Sequence, residues 1–186
     1  MKTERVKALT ASGAGVGRGA VMGEAAEAHG HYLIQCFDRH GKLKFVDTIE
    51  NLVTVEGKND ALDKYLSGTS YTAAHYIGLI SGTGYNGGVA TTDTAASHAG
   101  WAEDTNYNES ARPTAAFSNA ANGSKSLSSP LIYSINASTT IKGCFLITNP
   151  TKGGNTGVLY SAGLFTGGDK IVSDGDTLSV SYTASL

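Results

Sequence analysis

The chain has 186 residues, of which 16% are charged, with a net charge of −2. That length gives one domain able to bury about 70% of its unfolded surface, with no need of a covalent staple. So little charge, so evenly balanced, excludes the electrostatic footprint of a protein that binds nucleic acid or an anionic membrane. No apolar run approaches the ~20 residues of a membrane span, and the first residues hold no 7–15-residue apolar core of a secretory leader. The Asn-x-Ser sequons at Asn108, Asn122 and Asn136 therefore carry no expectation of glycosylation. The 24 glycines, with abundant Ser, Thr, Ala and Asn, describe a surface of small and hydroxyl side chains.

Met1–Gly30 is read as a flexible Ala/Gly-rich arm. Lys2, Arg5, Lys7 and Arg18 mix with Glu4, Glu24 and Glu27, and glycines stand at 13, 15, 17, 19 and 23. Alternating glycines give high chain entropy and little to bury. A phosphate-binding turn would need a strand before the glycines and a helix after them, and Met1–Ser12 is a polar lead-in. Arg18 is a candidate contact on this arm.

From residue 31 the chain reads as a single β-sandwich domain. His31–Phe37 and Leu43–Ile49 form a hairpin across Asp38-Arg39-His40-Gly41. His29, His31, Cys36 and His40 lack a zinc spacing, and His31 and Cys36 point to opposite sides of a strand, so no metal is expected. Thr54–Gly68 is the one helix: Thr54 caps it, Glu56 sits in its first turn and Gly68 stops it. Val55, Leu62, Tyr65 and Leu66 line one face, which is expected to pack over an end of the sandwich. Ala74–Ser81 is a strand. Its His75 has no acid or nucleophile at a recognisable spacing, and no Gly-x-Ser-x-Gly elbow exists, so no catalytic residue is assigned.

Gly82–Thr114 is a long irregular excursion, with one helical turn expected at Asp93–His98. An excursion of this length inside a compact domain is usually functional or unstructured. It carries the single tryptophan, Trp101, with Tyr85, Tyr107 and Arg112. Two readings of it stand: Trp101 plugs an end of the barrel, or the loop presents Trp101, Tyr85, Tyr107 and Arg112 to a protein partner, since such residues are enriched at hot spots.

Strands are then expected at Ala115–Asn119, Ser124–Leu127 after an Asn122-Gly123 turn, and Leu131–Ile135. The C-terminal stretch supplies the clearest pattern. Thr140–Thr148, Gly157–Phe165, Lys170–Val172 and Thr177–Tyr182 are β-branched and aromatic runs separated by Gly, Asn and Asp. In the last, Leu178, Val180 and Tyr182 share one face and Ser/Thr the other, a strand buried on one side. In Thr140–Thr148, Ile141, Gly143, Phe145 and Ile147 share a wholly apolar face, which places this strand inside a sheet. Eight or nine such strands predict two packed antiparallel sheets, a sandwich or jelly roll with one covering helix. A disulfide between Cys36 and Cys144 is the alternative, but nothing in the sequence demands it, and the two are read as buried thiols acting as small apolar residues.

The order of NLVTVEGKNDALDKYLSG (Asn51–Gly68), YIGLI (Tyr76–Ile80), DTAASHAGWAED (Asp93–Asp104) and Ala111-Arg112-Pro113 resembles structural proteins of tailed double-stranded DNA phages. SINASTTIKGCFLIT (Ser134–Thr148), GVLYSAGLF (Gly157–Phe165) and GDTLSVSYT (Gly175–Thr183) continue it. The nearest resemblance is to capsid cement, or head decoration, proteins of short-tailed phages. It runs from about Lys42 to the C-terminus and leaves the arm outside. It implies a β-sandwich of jelly-roll type, a homo-oligomer (dimer or trimer) bound to the major capsid protein on the capsid surface of the virion, assembled in the host cytoplasm, with no catalysis and no cofactor. A tail- or fibre-associated sandwich, with aromatics that stack on carbohydrate, is the alternative.

Overall fold

The computed structural model describes residues 28–68 and 74–185. Most of the expected arm, Arg18 included, lies outside them. The first strand begins at His29, inside the boundary expected at residue 30.

Eleven strands and one helix are found among the described residues: β1 (His29–Phe37), β2 (Leu43–Glu50), β3 (Leu52–Val53), α1 (Val55–Leu66), β4 (Tyr76–Ser81), β5 (Glu103–Asp104), β6 (Ser124–Ser126), β7 (Leu131–Ser134), β8 (Thr139–Ile147), β9 (Leu159–Leu164), β10 (Lys170–Val172) and β11 (Thr177–Ser185). They form two antiparallel sheets. One runs β2-β1-β11-β6, with β7 also on β11. The other runs β3-β9-β8-β4-β5, with β10 on β8. The expected β-sandwich with a single short helix is what the chain forms. The count exceeds eight or nine because β3 and β5 are two-residue pairings, too short to show a periodicity.

The inter-sheet core takes Tyr32, Ile34 and Cys36 from β1, Leu178, Val180 and Tyr182 from β11, and Tyr133 from β7. Opposite them lie Ile77 and Leu79 of β4 and Ile141, Cys144 and Leu146 of β8. The hydroxyl side of β11 faces outward, as its alternation predicts. Both cysteines are buried free thiols. Burial, then the nearby Asp176 carboxylate, pushes the Cys36 thiol up to about 11.

A second core lies on the other face of the β3-to-β5 sheet. Ile80, Phe145, Ile147, Leu159 and Ala162 pack there beneath Ala95 and Trp101. This corrects the expected faces of β8. Ile141 joins Cys144 and Leu146 in the first core, while Phe145 and Ile147 belong to the second. The register slips where Ile80 pairs Gly143 and Ser81 pairs Ile141, and the extra residue of a bulge exchanges the two faces.

Asn122 and Gly123 both take positive φ, 50° and 72°, as the expected tight hairpin requires. Two other expectations fail. Ala115–Asn119 is not a strand: Thr114 bridges Tyr76 and Phe117 bridges Leu127, so successive residues serve different partners. Asp93–His98 forms turns rather than a helical turn, with Thr94 and Ser97 exchanging backbone hydrogen bonds of 2.9 and 3.2 Å.

Candidate protein-docking surface

The excursion over residues 82–114 folds back onto the second core, and this settles where its aromatic residues go. Trp101 is 5% exposed and packs against Phe145 at a ring separation of 5.2 Å. Its indole Nε1–H donates to Asp93 Oδ2 at 2.8 Å, and His98 stacks on it at 4.1 Å. Of the two readings, Trp101 takes the plugging one, although it covers a sheet face rather than an end.

Tyr107 is fully buried, edge-on to Tyr133 at 5.2 Å, with Lys152 Nζ 4.3 Å from its ring. Burial, then the neighbouring Glu103 carboxylate, raises its hydroxyl pKa far beyond the usual range. Arg112 is also buried. It donates through Nε and Nη2 to the two oxygens of Glu103 at 2.9 and 2.7 Å, and to the carbonyls of Asn149 and Gly154 at 2.9 and 2.7 Å. Tyr85 is half-buried under Lys142 Nζ, 4.3 Å from its ring centre. Trp101, Tyr107 and Arg112 are thus occupied within the fold, and Arg18 lies outside the described residues. The four excursion side chains do not form a free contact patch: Trp101 sits in the second core with Tyr85 packed against it, Tyr107 joins the inter-sheet core, and Arg112 lies buried over the Phe145 ring.

A cavity of about 260 Å³ lies beside this loop, lined by His98, Trp101, Glu103, Arg112 and Phe145 among others. Its charged groups are the Glu103–Arg112 pair just described, already bonded to each other and to backbone. Among the described residues no group of three or more His, Cys, Asp or Glu is placed to hold a metal. His31 faces outward, its Nδ1 2.8 Å from Glu50 Oε1, while Cys36 faces the core. His75 sits between Phe117 and Tyr160, 6.5 and 6.0 Å away, and burial, then Lys64, lowers its pKa.

Two exposed surfaces stand out instead. The first is the outer face of the β2-β1-β11 sheet. Register places Val46, Gln35, Ser179 and Ile132 in one row across β2, β1, β11 and β7. Thr48, Leu33 and Ser181 form the next row, and Glu50, His31, Thr183 and Ser126 the one after. Leu33, Val46 and Ile132 are 38%, 47% and 49% exposed. In these rows they are surrounded by hydroxyls, the Gln35 amide and, at one end, His31 and Glu50. These rows make an exposed face that is poor in charge and carries separated apolar points.

The second is α1, whose orientation reverses expectation. Thr54 caps it, its Oγ1 accepting from the Gly57 amide at 2.9 Å. Glu56 Oε2 accepts from the amides of Leu159 and Ala95 at 2.8 and 3.2 Å. The side against β9 is made by Gly57 and the Asp60–Lys64 ion pair of 2.7 Å. Gly57 is the buried residue of the helix, and a Cβ there would lie 2.3 Å from the Tyr160 carbonyl oxygen. The stripe expected to pack inward faces out: Val55, Leu62, Tyr65 and Leu66 are 51%, 55%, 89% and 72% exposed. Close backbone approach at a glycine decides the docking, and hydropathy gives no sign of it. No family model matches this chain, and no curated protein matches it.

Proposed function

We propose that this protein is a structural component of a phage virion that binds the outer surface of the capsid, laying the charge-poor face of the β2-β1-β11 sheet on the major capsid protein. The observation that carries the reading is that face: Leu33, Val46 and Ile132 exposed amid Thr48, Ser179, Ser181 and Thr183 on a stiff two-sheet plate. The order of motifs that resembles capsid cement proteins supports the same reading. A protein that prefers the expanded shell stabilises that state by mass action, and many copies together need only modest affinity each.

Cosedimentation of the purified chain with expanded empty shells tests this. Leu33→Lys with Ile132→Lys is expected to lower occupancy at least tenfold while the circular dichroism stays native. Equal occupancy for wild type and variant, or density for the protein at the tail in electron micrographs of the particle, overturns it. The carbohydrate-binding alternative loses Trp101 and Tyr107 as stacking platforms, since both are buried.

A further inference from the structure

The outward side of α1 has the layout of a coiled-coil seam. Val55, Asn59, Leu62 and Leu66 follow one another at spacings of four, three and four, and all are exposed. In heptad positions, Val55 and Leu62 are d, Asn59 and Leu66 are a, Lys58 and Tyr65 are g, and Glu56 and Asp63 are e. The opposite side is fixed to β9 through Gly57, so the seam points away from the sandwich. We infer that α1 is a self-association surface, on which a second copy of this chain docks its own α1 in parallel about a two-fold axis.

Charge selects the second copy and its direction. In a parallel pair each g residue lies beside the e residue five positions on in the partner helix. That sets Lys58 of each chain beside Asp63 of the other, twice by symmetry. Neither residue has an ion-pair partner among the described residues. An antiparallel pair would instead bring g against g and e against e, so Lys58 would no longer meet Asp63. Asn59 points the same way. At an a position it meets its own counterpart only in the parallel register, and a buried Asn there selects two strands at some cost in affinity.

A free helix of this length would be marginal in water. Here Thr54, Glu56 and Gly57 already hold it on the sandwich, so little ordering remains to be done on association. The contact spans 12 residues of helix, less than the ~800 Å² per partner of a standard interface. The dimer is therefore expected to be a weak one that forms only at the upper end of a concentration series.

This inference stands apart from the capsid reading, and its test uses no shells, so either can fail alone. Sedimentation equilibrium of the full chain over a concentration series should show the 19.2 kDa monomer passing to a dimer. Leu62→Glu, at an exposed position, should leave the circular dichroism unchanged and weaken the dimer at least tenfold. Lys58→Glu alone and Asp63→Lys alone should each weaken it, and the two together should restore it, with less dimer in high salt for the wild type. A monomer at every concentration overturns the inference, as does a dimer indifferent to Leu62→Glu. Failure of the double swap to restore association overturns the parallel register. A chain that stays monomeric yet loses a different protein partner on Leu62→Glu also overturns it.

Discussion

Arg112 and Glu103 meet through two parallel hydrogen bonds with their side chains only 2% and 6% exposed. Glu103 Oε2 also accepts from the Gly153 amide at 2.6 Å. The pair therefore ties the excursion, through β5, to the loop joining β8 and β9. Removing one partner of such a pair leaves the other charged, buried and unmatched. Arg112→Met is expected to cost about 3–5 kcal/mol, read from urea unfolding followed by fluorescence. Met at 112 combined with Glu103→Gln should cost less than Arg112→Met alone, since no isolated charge then remains.

Trp101→Ala is expected to cost about 3–5 kcal/mol, because it empties the centre of the second core. The loss should appear in urea unfolding followed by far-ultraviolet circular dichroism. Trp101→Phe keeps most of the packing but removes the donor to Asp93, and should cost about 1 kcal/mol or more. Any change in partner binding by Trp101→Ala would then follow from displacement of the excursion.

Gly57→Ala would ordinarily strengthen a helix by about 1 kcal/mol. Here the added methyl meets the backbone of Tyr160, which cannot swing away as a side chain can. The substitution is expected to destabilise by about 1–3 kcal/mol and to move α1 off β9. Thermal unfolding measures the first, and amide exchange within α1 the second.

His75 is held neutral in the fold by burial, then by Lys64, with Asp60 opposing. Its folded pKa lies below the unfolded value of about 6.5. The unfolded chain therefore takes up a proton first as pH falls. Stability contributed by neutral His75 is complete above about pH 6.5 and declines as pH drops from there towards the folded pKa. Replacing His75→Phe should flatten the difference in melting temperature between pH 7.5 and pH 5.5 relative to wild type. An identical pH dependence in both proteins would show that other groups carry it.

Most of the sandwich was legible in the sequence because one-face burial writes itself as alternation. Leu178, Val180 and Tyr182 against Ser179 and Ser181 is the plainest case. Asn122-Gly123 was legible because that turn demands two positive φ angles. What escaped are features set by close contact rather than by hydropathy. Gly57 turns the helix over, so that an ion pair faces inward and Leu62 and Leu66 face water. The bulge at the start of β8 moves Ile141 to the face opposite Phe145. Trp101, Tyr107 and Arg112 look like hot-spot residues in the sequence because interfaces and polar-capped cores draw on the same side chains; only the fold distinguishes them. The sheet face carrying Leu33, Val46 and Ile132 could not be assembled without the register of four strands. β1, β2 and β7 contribute Leu33, Val46 and Ile132 singly and β11 contributes only hydroxyls to these rows, which strand by strand is unremarkable.

The slip in β8 has a mechanical outcome. One strand walls two oily compartments at once, and the excursion covers one with Trp101 and enters the other with Tyr107. Peeling only residues 82–101 away would wet Phe145 and Ile147 while Cys144 and Leu146 stayed dry behind the backbone. The amides of β8, hemmed in by β4 on one edge and β9 on the other, should be the last in the molecule to take up deuterium.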